Sequence, residues 1–132
     1  MDRWNATKTM TVSYGIDAPP DGMSPGIGHT VEIVTKVTEA LSAETLGNPG
    51  VNVLATPCLA GLCDEAAAKV CGDGKTHRMR VDIRHLAATA IGNEVRIEAE
   101  IISVGAELVV CCIRGRYSNG DIVSGHVIRV VD

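Results

Sequence analysis

Apolar and polar residues alternate in three stretches of this chain, at residues 29–41, 77–85 and 92–104. A period of two places successive side chains on opposite faces of a strand, so each stretch predicts a strand with one buried face. Residues 108–117 are more uniformly apolar, which is typical of a central strand. A hairpin turn at residues 118–121 then leads to a last strand at 122–131.

Residues 54–71 have helical periodicity instead and predict one long helix. Thr56 is a typical N-cap and Pro57 suits the first helical position, while the glycines of residues 72–74 end the helix. Side chains at three- and four-residue spacing make one apolar stripe, namely Leu59, Leu62, Ala66 and Val70. Asp64 is the one charge in a neighbouring stripe of small residues. We therefore expect a carboxylate on a crowded helix face that lies against a sheet.

These elements predict an α+β fold in which one long helix is wrapped by a five-stranded antiparallel sheet. The expected order is a strand, the helix and then four strands in a meander. Residues 1–26 are polar and broken by glycine and proline, so they predict an N-terminal arm, possibly with an extra edge strand within 9–16. Residues 27–132 form the domain. Within it, His85 projects from the apolar side of its strand, which places it on the same side of the sheet as Asp64.

The composition of the chain argues against several classes of function. The chain has 132 residues and a formal net charge of −4, which argues against nonspecific nucleic-acid binding. It has no phenylalanine, so any ligand pocket is expected to be aliphatic and lined with sulfur. The five cysteines form no C-x-x-C motif and favour reduced thiols over disulfides or a zinc site. With no signal-like or membrane-spanning apolar run, we expect a cytoplasmic protein that needs no metal or cofactor.

Three motifs carry a resemblance to a known family. They are Leu46-Gly47-Asn48 followed by VLATPCLAGLCDEAA on the helix, then RHLAATAIGNEV, and finally SGHVIRVV on the last strand. Over residues 28–131 the chain resembles the hot-dog fold, and within it the thioesterases similar to fluoroacetyl-CoA thioesterase. The resemblance implies an acyl-CoA thioesterase that hydrolyses a small or medium acyl thioester, with coenzyme A as part of the substrate. It also implies a homodimer with active sites between the subunits.

The same resemblance implies the site residues. A threonine before the helix, an acidic residue on it and a histidine at the end of the second strand fall here on Thr56, Asp64 and His85 as catalytic residues. The family's acidic residue is more usually glutamate, so Glu65 is an alternative to Asp64 as the working carboxylate. The family's arginine on the last strand corresponds to Arg129. Predicted substrate contacts are Gly61, Glu65 and Arg129.

Each assignment has a structural alternative. Without the resemblance, Asp64 would be interpreted as a buried carboxylate bonded to backbone, His85 as a satisfied strand-end histidine, and Thr56 as a simple N-cap; with it, the catalytic roles are favoured. Arg78, Arg80 and Arg84 are expected to share one exposed strand face with Asp82, paired among themselves. Arg114 and Arg116 are further candidates for phosphate contacts.

Two other functions remain open at this point. One is a hot-dog enoyl-CoA hydratase, which usually places its histidine and aspartate on one local motif that this chain lacks. The other is a non-catalytic dimer that binds an acyl group or a metabolite without turnover.

Overall fold

The computed structural model describes residues 10–15 and 26–132. Its elements in chain order are strand β1 (Met10–Tyr14), β2 (Thr30–Lys36), a short 3-10 helix (Glu39–Leu41), helix α1 (Thr56–Cys71), β3 (Thr76–His85), β4 (Glu94–Val104), β5 (Leu108–Tyr117) and β6 (Gly120–Val131). The five predicted strands and the helix are therefore present, and β1 adds a sixth strand from the predicted arm. The remainder of residues 1–26 lies mostly outside the described part, and the boundary between arm and domain stays a prediction.

The strands form one antiparallel sheet in the order β1-β2-β4-β5-β6-β3. The α+β hot-dog arrangement, with one helix against an antiparallel sheet, is thus as expected. The meander of four strands is wrong, because β3 pairs with β6 instead of β4. Alternation in a sequence fixes which face of a strand is buried, but it does not fix the neighbouring strand. As a result, β3 forms an edge of the sheet.

Helix α1 packs its apolar face against the inner face of the sheet. All four residues of the predicted stripe are at most 3% exposed, namely Leu59, Leu62, Ala66 and Val70. The sheet contributes aliphatic side chains such as Ile33, Ile97 and Ile113, which are fully buried. Since burying each such side chain contributes roughly 1.5–3 kcal/mol, this layer of contacts holds the helix across the sheet.

The start of α1 differs from the prediction. The N-cap is Ala55, which makes no side-chain cap hydrogen bond, and Thr56 is the first helical residue. Pro57 follows within the first turn, where its missing N–H costs no hydrogen bond. The Thr56 hydroxyl is therefore available for a tertiary contact.

A β-bulge in β3 changes the face of one arginine. The register of β3 against β6 shifts between Arg78 and Arg80, so Arg78 lies opposite the buried Arg129 while Arg80 lies opposite Ile128. A bulge inserts one residue and thereby reverses the alternation of faces. The predicted exposed pairing holds for Arg80 and Asp82, whose side chains are 3.3 Å apart. It is wrong for Arg78, which instead contacts Asp64 on the helix.

Among residues 10–15 and 26–132, no helix has both the length and the apolarity required to cross a membrane. All five cysteines are free thiols, and four of them are buried.

Burial of Cys63 in this packing makes the stability of the fold depend on pH in alkaline solution. It lies fully buried on α1, and desolvation, followed by the nearby Asp64 charge, raises the pKa of its thiol to about 12 from an ordinary value of 9.0. Burial also raises the pKa of Cys58. The thiolate form is therefore disfavoured in the folded state and not in the unfolded chain.

We predict that the free energy of unfolding falls as the pH rises from about 9 towards 12. Below pH 9 the Cys63 thiol is protonated in both the folded and the unfolded chain. Above pH 9 the unfolded chain releases this proton first, which stabilises the unfolded state relative to the folded state. The slope from one such thiol is at most about 1.4 kcal/mol per pH unit. Urea unfolding at a series of pH values measures it, and Cys63→Ala should flatten the curve. Identical curves for the two proteins would contradict the assignment.

Candidate active site

The hydroxyl of Thr56 and the imidazole of His85 meet at the start of the helix. Thr56 Oγ1 and His85 Nδ1 are 3.0 Å apart, although the residues are separated by 29 positions in the chain. The other ring nitrogen, Nε2, is buried and has no hydrogen-bond partner among the described residues. A buried imidazole nitrogen without a partner is costly and unusual, which marks it for a functional role.

The segments on either side of this contact are held together by the backbone. Leu54 N donates to the carbonyl of Thr89 at 2.8 Å, and Val53 forms an antiparallel bridge with Ala90. The chain leaving β3 is thereby fixed to the chain entering α1. The last residue of β3 and the first residue of α1 are brought together as a result.

Free amides surround the Thr56–His85 contact. The first hydrogen bond into the helix runs from Leu59 N to Ala55 O at 2.9 Å. Within the described part of the chain, the amides of Thr56 and Cys58 have no backbone acceptor, and Pro57 has no N–H to satisfy. N–H groups at a helix start carry partial positive charge and suit a developing oxyanion.

Cys58 lies in the first turn of the same helix but is poorly suited to act as a nucleophile. Its side chain is buried, and desolvation raises the pKa of its thiol. A nucleophilic cysteine needs a lowered pKa. The chemistry at this point therefore rests on the hydroxyl and the imidazole.

Asp64 lies farther along the helix, in a buried cluster of charges. Its Oδ1 accepts a hydrogen bond from Arg129 Nη1 at 2.6 Å, and its Oδ2 is 2.9 Å from Arg78 Nε. Asp64 is only 9% exposed and Arg129 only 6%. Both carboxylate oxygens are thus engaged by guanidinium groups, which ties the helix to β6 and β3.

Arg129 has its donors directed at protein groups. Besides Asp64, it donates from Nε to Thr76 Oγ1 at 2.7 Å and from Nη2 to the Thr76 carbonyl at 2.8 Å. The thiol of Cys71 lies close by, and its pKa is lowered first by a hydrogen bond from Cys111 and then, against the effect of burial, by the Arg129 charge. Arg129 therefore acts in this structure as a structural cation.

The predicted site residues thus fall into two groups. Thr56 and His85 are brought together, but Asp64 lies eight residues farther along the helix, or ~12 Å at the helical rise per residue. Gly61 and Glu65 lie on the helix between and beside these groups, both partly buried. The contacts predicted for Gly61, Glu65 and Arg129 with substrate stay predictions.

Sequence reasoning missed Arg78 and Thr76 as members of the Asp64 cluster. The alternating pattern places Arg78 on the solvent face, and only the bulge, which leaves no signal in the sequence, turns it inward. Thr76 begins β3 and is buried. A buried threonine at a strand start has no distinguishing motif.

Other polar groups of the described residues do not extend the site. They include no cluster of three or more His, Cys, Asp or Glu residues able to hold a metal ion. A cavity of about 250 Å³ is lined by residues of β2, β4, β5 and β6, namely Glu32, Arg96, Glu98, Arg114, Gly115, Arg116 and Asp121. Its equal numbers of acidic and basic side chains give no preference for an anion.

The sequence matches the family model of the fluoroacetyl-CoA-specific thioesterases, FlK, over residues 37–131. The chain belongs to this family. It is accordingly a thioester hydrolase, and the prediction of an acyl-CoA thioesterase is confirmed at this level. No protein with a curated description matches the sequence significantly.

Solved structures of thioesterases share the fold of this family member. A structure of the fluoroacetyl-CoA thioesterase FlK is 24% identical, with a TM-score of 0.72 over 85% of this chain and 90% of that chain. A hypothetical thioesterase from Streptococcus pneumoniae TIGR4, solved with coenzyme A, is 17% identical, with a TM-score of 0.70 over 92% and 86%. A thioesterase superfamily member from Thermus thermophilus is 23% identical, with a TM-score of 0.72 over 82% and 84%. These likenesses establish the hot-dog fold.

We predict that Asp64→Ala costs the thioesterase about 3 kcal/mol or more of folding stability, because it leaves the Arg129 guanidinium buried without its counterion. Urea or thermal unfolding measures the loss. Asp82→Ala is the matched control, since the exposed pair of Asp82 with Arg80 should contribute less than about 1 kcal/mol. Equal losses of stability in the two variants would show that the buried ion pair contributes no more to folding than the exposed one.

Proposed function

We propose that Thr56 and His85 are the working pair that hydrolyses an acyl-CoA thioester with a small or medium acyl chain. The observation that carries this proposal is the 3.0 Å contact between Thr56 Oγ1 and His85 Nδ1, with His85 Nε2 left without a partner among the described residues. Thioester hydrolysis needs hydrogen-bond donors for the carbonyl oxygen and a base for water, held in a fixed geometry. The hydroxyl and the helix amides supply the donors, and the imidazole supplies the base.

In the proposed reaction His85 takes the tautomer in which Nδ1–H donates to Thr56 Oγ1. Its Nε2 then carries the lone pair and removes a proton from a water molecule. The resulting hydroxide attacks the thioester carbonyl carbon. The tetrahedral intermediate collapses by breaking the C–S bond, and the imidazolium returns its proton to the leaving sulfur. The products are a carboxylic acid and the thiol of coenzyme A.

The negative charge on the carbonyl oxygen is balanced at the helix start. With its oxygen accepting from His85, the Thr56 hydroxyl donates its own hydrogen to the oxyanion, and the Cys58 amide is the second donor. The positive end of the helix dipole adds to this stabilisation. Removing one such donor typically costs a factor of 10²–10³ in kcat.

The geometry supports His85 over Asp64 as the base. Both oxygens of Asp64 are engaged by Arg129 and Arg78, so their lone pairs are directed at guanidinium groups and not at a substrate or a water molecule. We assign Asp64 the task of fixing Arg129 and Arg78. Glu65, the alternative carboxylate, follows it on the helix.

We also propose a homodimer joined along β3. Among the described residues this strand lies at the edge of the sheet, so one side of its backbone has no neighbouring strand, and its Met79 is 58% exposed. When two copies of a ten-residue strand pair antiparallel with full overlap, Thr76 of one copy lies opposite His85 of the other. The Asp64 cluster of each subunit would then approach the Thr56–His85 pair of its partner.

The remaining parts of the proposal follow from composition. Because the chain has no phenylalanine, its acyl-binding pocket would be built from aliphatic side chains, which suit a short or medium alkyl chain. Water is the only co-reactant, and the mechanism uses no metal or cofactor. Five free thiols and a net charge of −4 support a cytoplasmic enzyme without nucleic-acid or membrane partners.

We predict that His85→Ala and Thr56→Ala each lower kcat about a hundredfold or more, because each removes a positioned group of the reaction. Thr56→Ser should retain most activity, since it keeps the hydroxyl. Chromatographic detection of free coenzyme A released from a panel of acyl-CoAs is the measurement. A thiol dye is unsuitable because the five cysteines can react with it.

His126→Ala is the control for this series, because His126 is exposed and lies on β6 opposite Asp82. Its activity should equal that of the wild type. Full activity in His85→Ala would overturn the assigned base. A folded dimeric wild type that releases coenzyme A from no acyl-CoA would favour a binding protein instead.

The dimer is tested with a charge placed on the proposed interface. We predict a mass about twice 13.8 kDa for the wild type by light scattering. Met79→Glu should weaken the pairing and lower activity together, since charges on edge strands oppose further pairing. Ile102→Glu is the control at a comparably exposed apolar residue of β4. A fully active monomer would exclude a shared site.

A further inference from the structure

Arg78 has donors that the protein does not use. The bulge in β3 directs its Nε to Asp64 Oδ2 at 2.9 Å, while the side chain as a whole remains 58% exposed. Among the described residues, neither of its Nη groups donates a hydrogen bond, and its ion pair with Asp64 is made through Nε. A guanidinium group with both Nη atoms free retains the fork that binds a carboxylate or phosphate with two parallel hydrogen bonds.

The charge of the cluster favours an anion at this point. Asp64 supplies one negative charge, whereas Arg78 and Arg129 supply two positive charges. Arg129 is buried and donates to Asp64 and Thr76, so the surplus positive charge resides on the accessible end of Arg78. An incoming anion gains a charge-assisted contact without having to displace Asp64.

We propose that Arg78 makes this thioesterase selective for acyl groups that end in a carboxylate, the thioesters of short dicarboxylic acids. This inference rests on the proposed active site and the proposed dimer. In the paired β3 strands, Arg78 lies opposite Ile83 of the partner subunit, two residues from the position opposite His85 of the partner subunit. Two residues of strand span ~7 Å, which matches the reach of a short acyl chain from the reacting carbonyl.

A phosphate of coenzyme A offers the same chemistry to a guanidinium. The position of Arg78 favours the acyl carboxylate, because the diphosphate is separated from the thioester by the whole pantetheine arm. The carboxylate of a short dicarboxylic acyl group is separated from it by only a few bonds. The two sources of the anion are distinguished by the experiment.

The experiment compares kcat/KM for acyl-CoAs matched in carbon number, namely malonyl with propionyl, succinyl with butyryl and glutaryl with valeryl. The wild type should favour the dicarboxylic member of at least one pair. Arg78→Gln should lower that dicarboxylic-to-neutral ratio about tenfold or more, because it removes a charge-assisted contact. Arg78→Lys, which keeps the charge without the fork, should give an intermediate ratio.

Arg84→Gln is the matched control, since Arg84 is an exposed arginine of the same strand on the outer face, and it should leave the ratio unchanged. Thermal unfolding verifies that each variant is folded. An unchanged ratio in Arg78→Gln overturns the proposal. An equal loss with every acyl-CoA that disappears with N-acetylcysteamine thioesters, which lack phosphates, also overturns it and assigns Arg78 to coenzyme A. If the wild type hydrolyses none of these thioesters, the proposed function itself is overturned. If it hydrolyses them without preferring a dicarboxylic member, only the selectivity proposal is overturned.

Discussion

The buried carboxylate of Asp64 is the constraint on which this structure depends. It joins the middle of the only long helix described to two strands, through Arg129 on β6 and Arg78 on β3. A charge in this position is tolerated only because both of its oxygens are matched by guanidinium groups. The ion pair thus fixes the helix against the edge of the sheet, and with it the direction in which the helix start meets His85.

The three predicted catalytic residues lie in two places along the helix of one chain. A threonine, an acidic residue and a histidine in the expected order suggest one catalytic triad. Within one chain the structure has a hydroxyl and an imidazole in contact at one end of the helix, and an ion-paired carboxylate eight residues farther along it, or ~12 Å of helical rise. Loss of activity on replacing Asp64 therefore needs a stability measurement beside it before it bears on catalysis.

The edge position of β3 links the two regions. The same strand carries Arg78 and Thr76 near its start and His85 at its end. An antiparallel copy of such a strand brings the start of one close to the end of the other, and a strand with a free edge is the natural place for that copy. A site divided between subunits would let one surface bind the acyl group while the other performs the chemistry.

The sequence by itself determined the elements and the faces of their side chains. The period of two gave the strands, the helical stripe of Leu59, Leu62, Ala66 and Val70 gave the buried helix face, and His85 was correctly assigned to the helix side. These features depend on local spacing, which a sequence contains. The motifs also indicated the thioesterase family that the family model shows.

Only the tertiary structure decided the neighbours. It placed β3 beside β6, moved Thr56 from the cap into the helix and onto His85, and turned Arg78 inward through a bulge. Strand order, bulges and the pairing of buried charges depend on contacts between residues distant in the chain. Local periodicity carries no record of those contacts, which is why the two halves of the candidate site became distinct only in three dimensions.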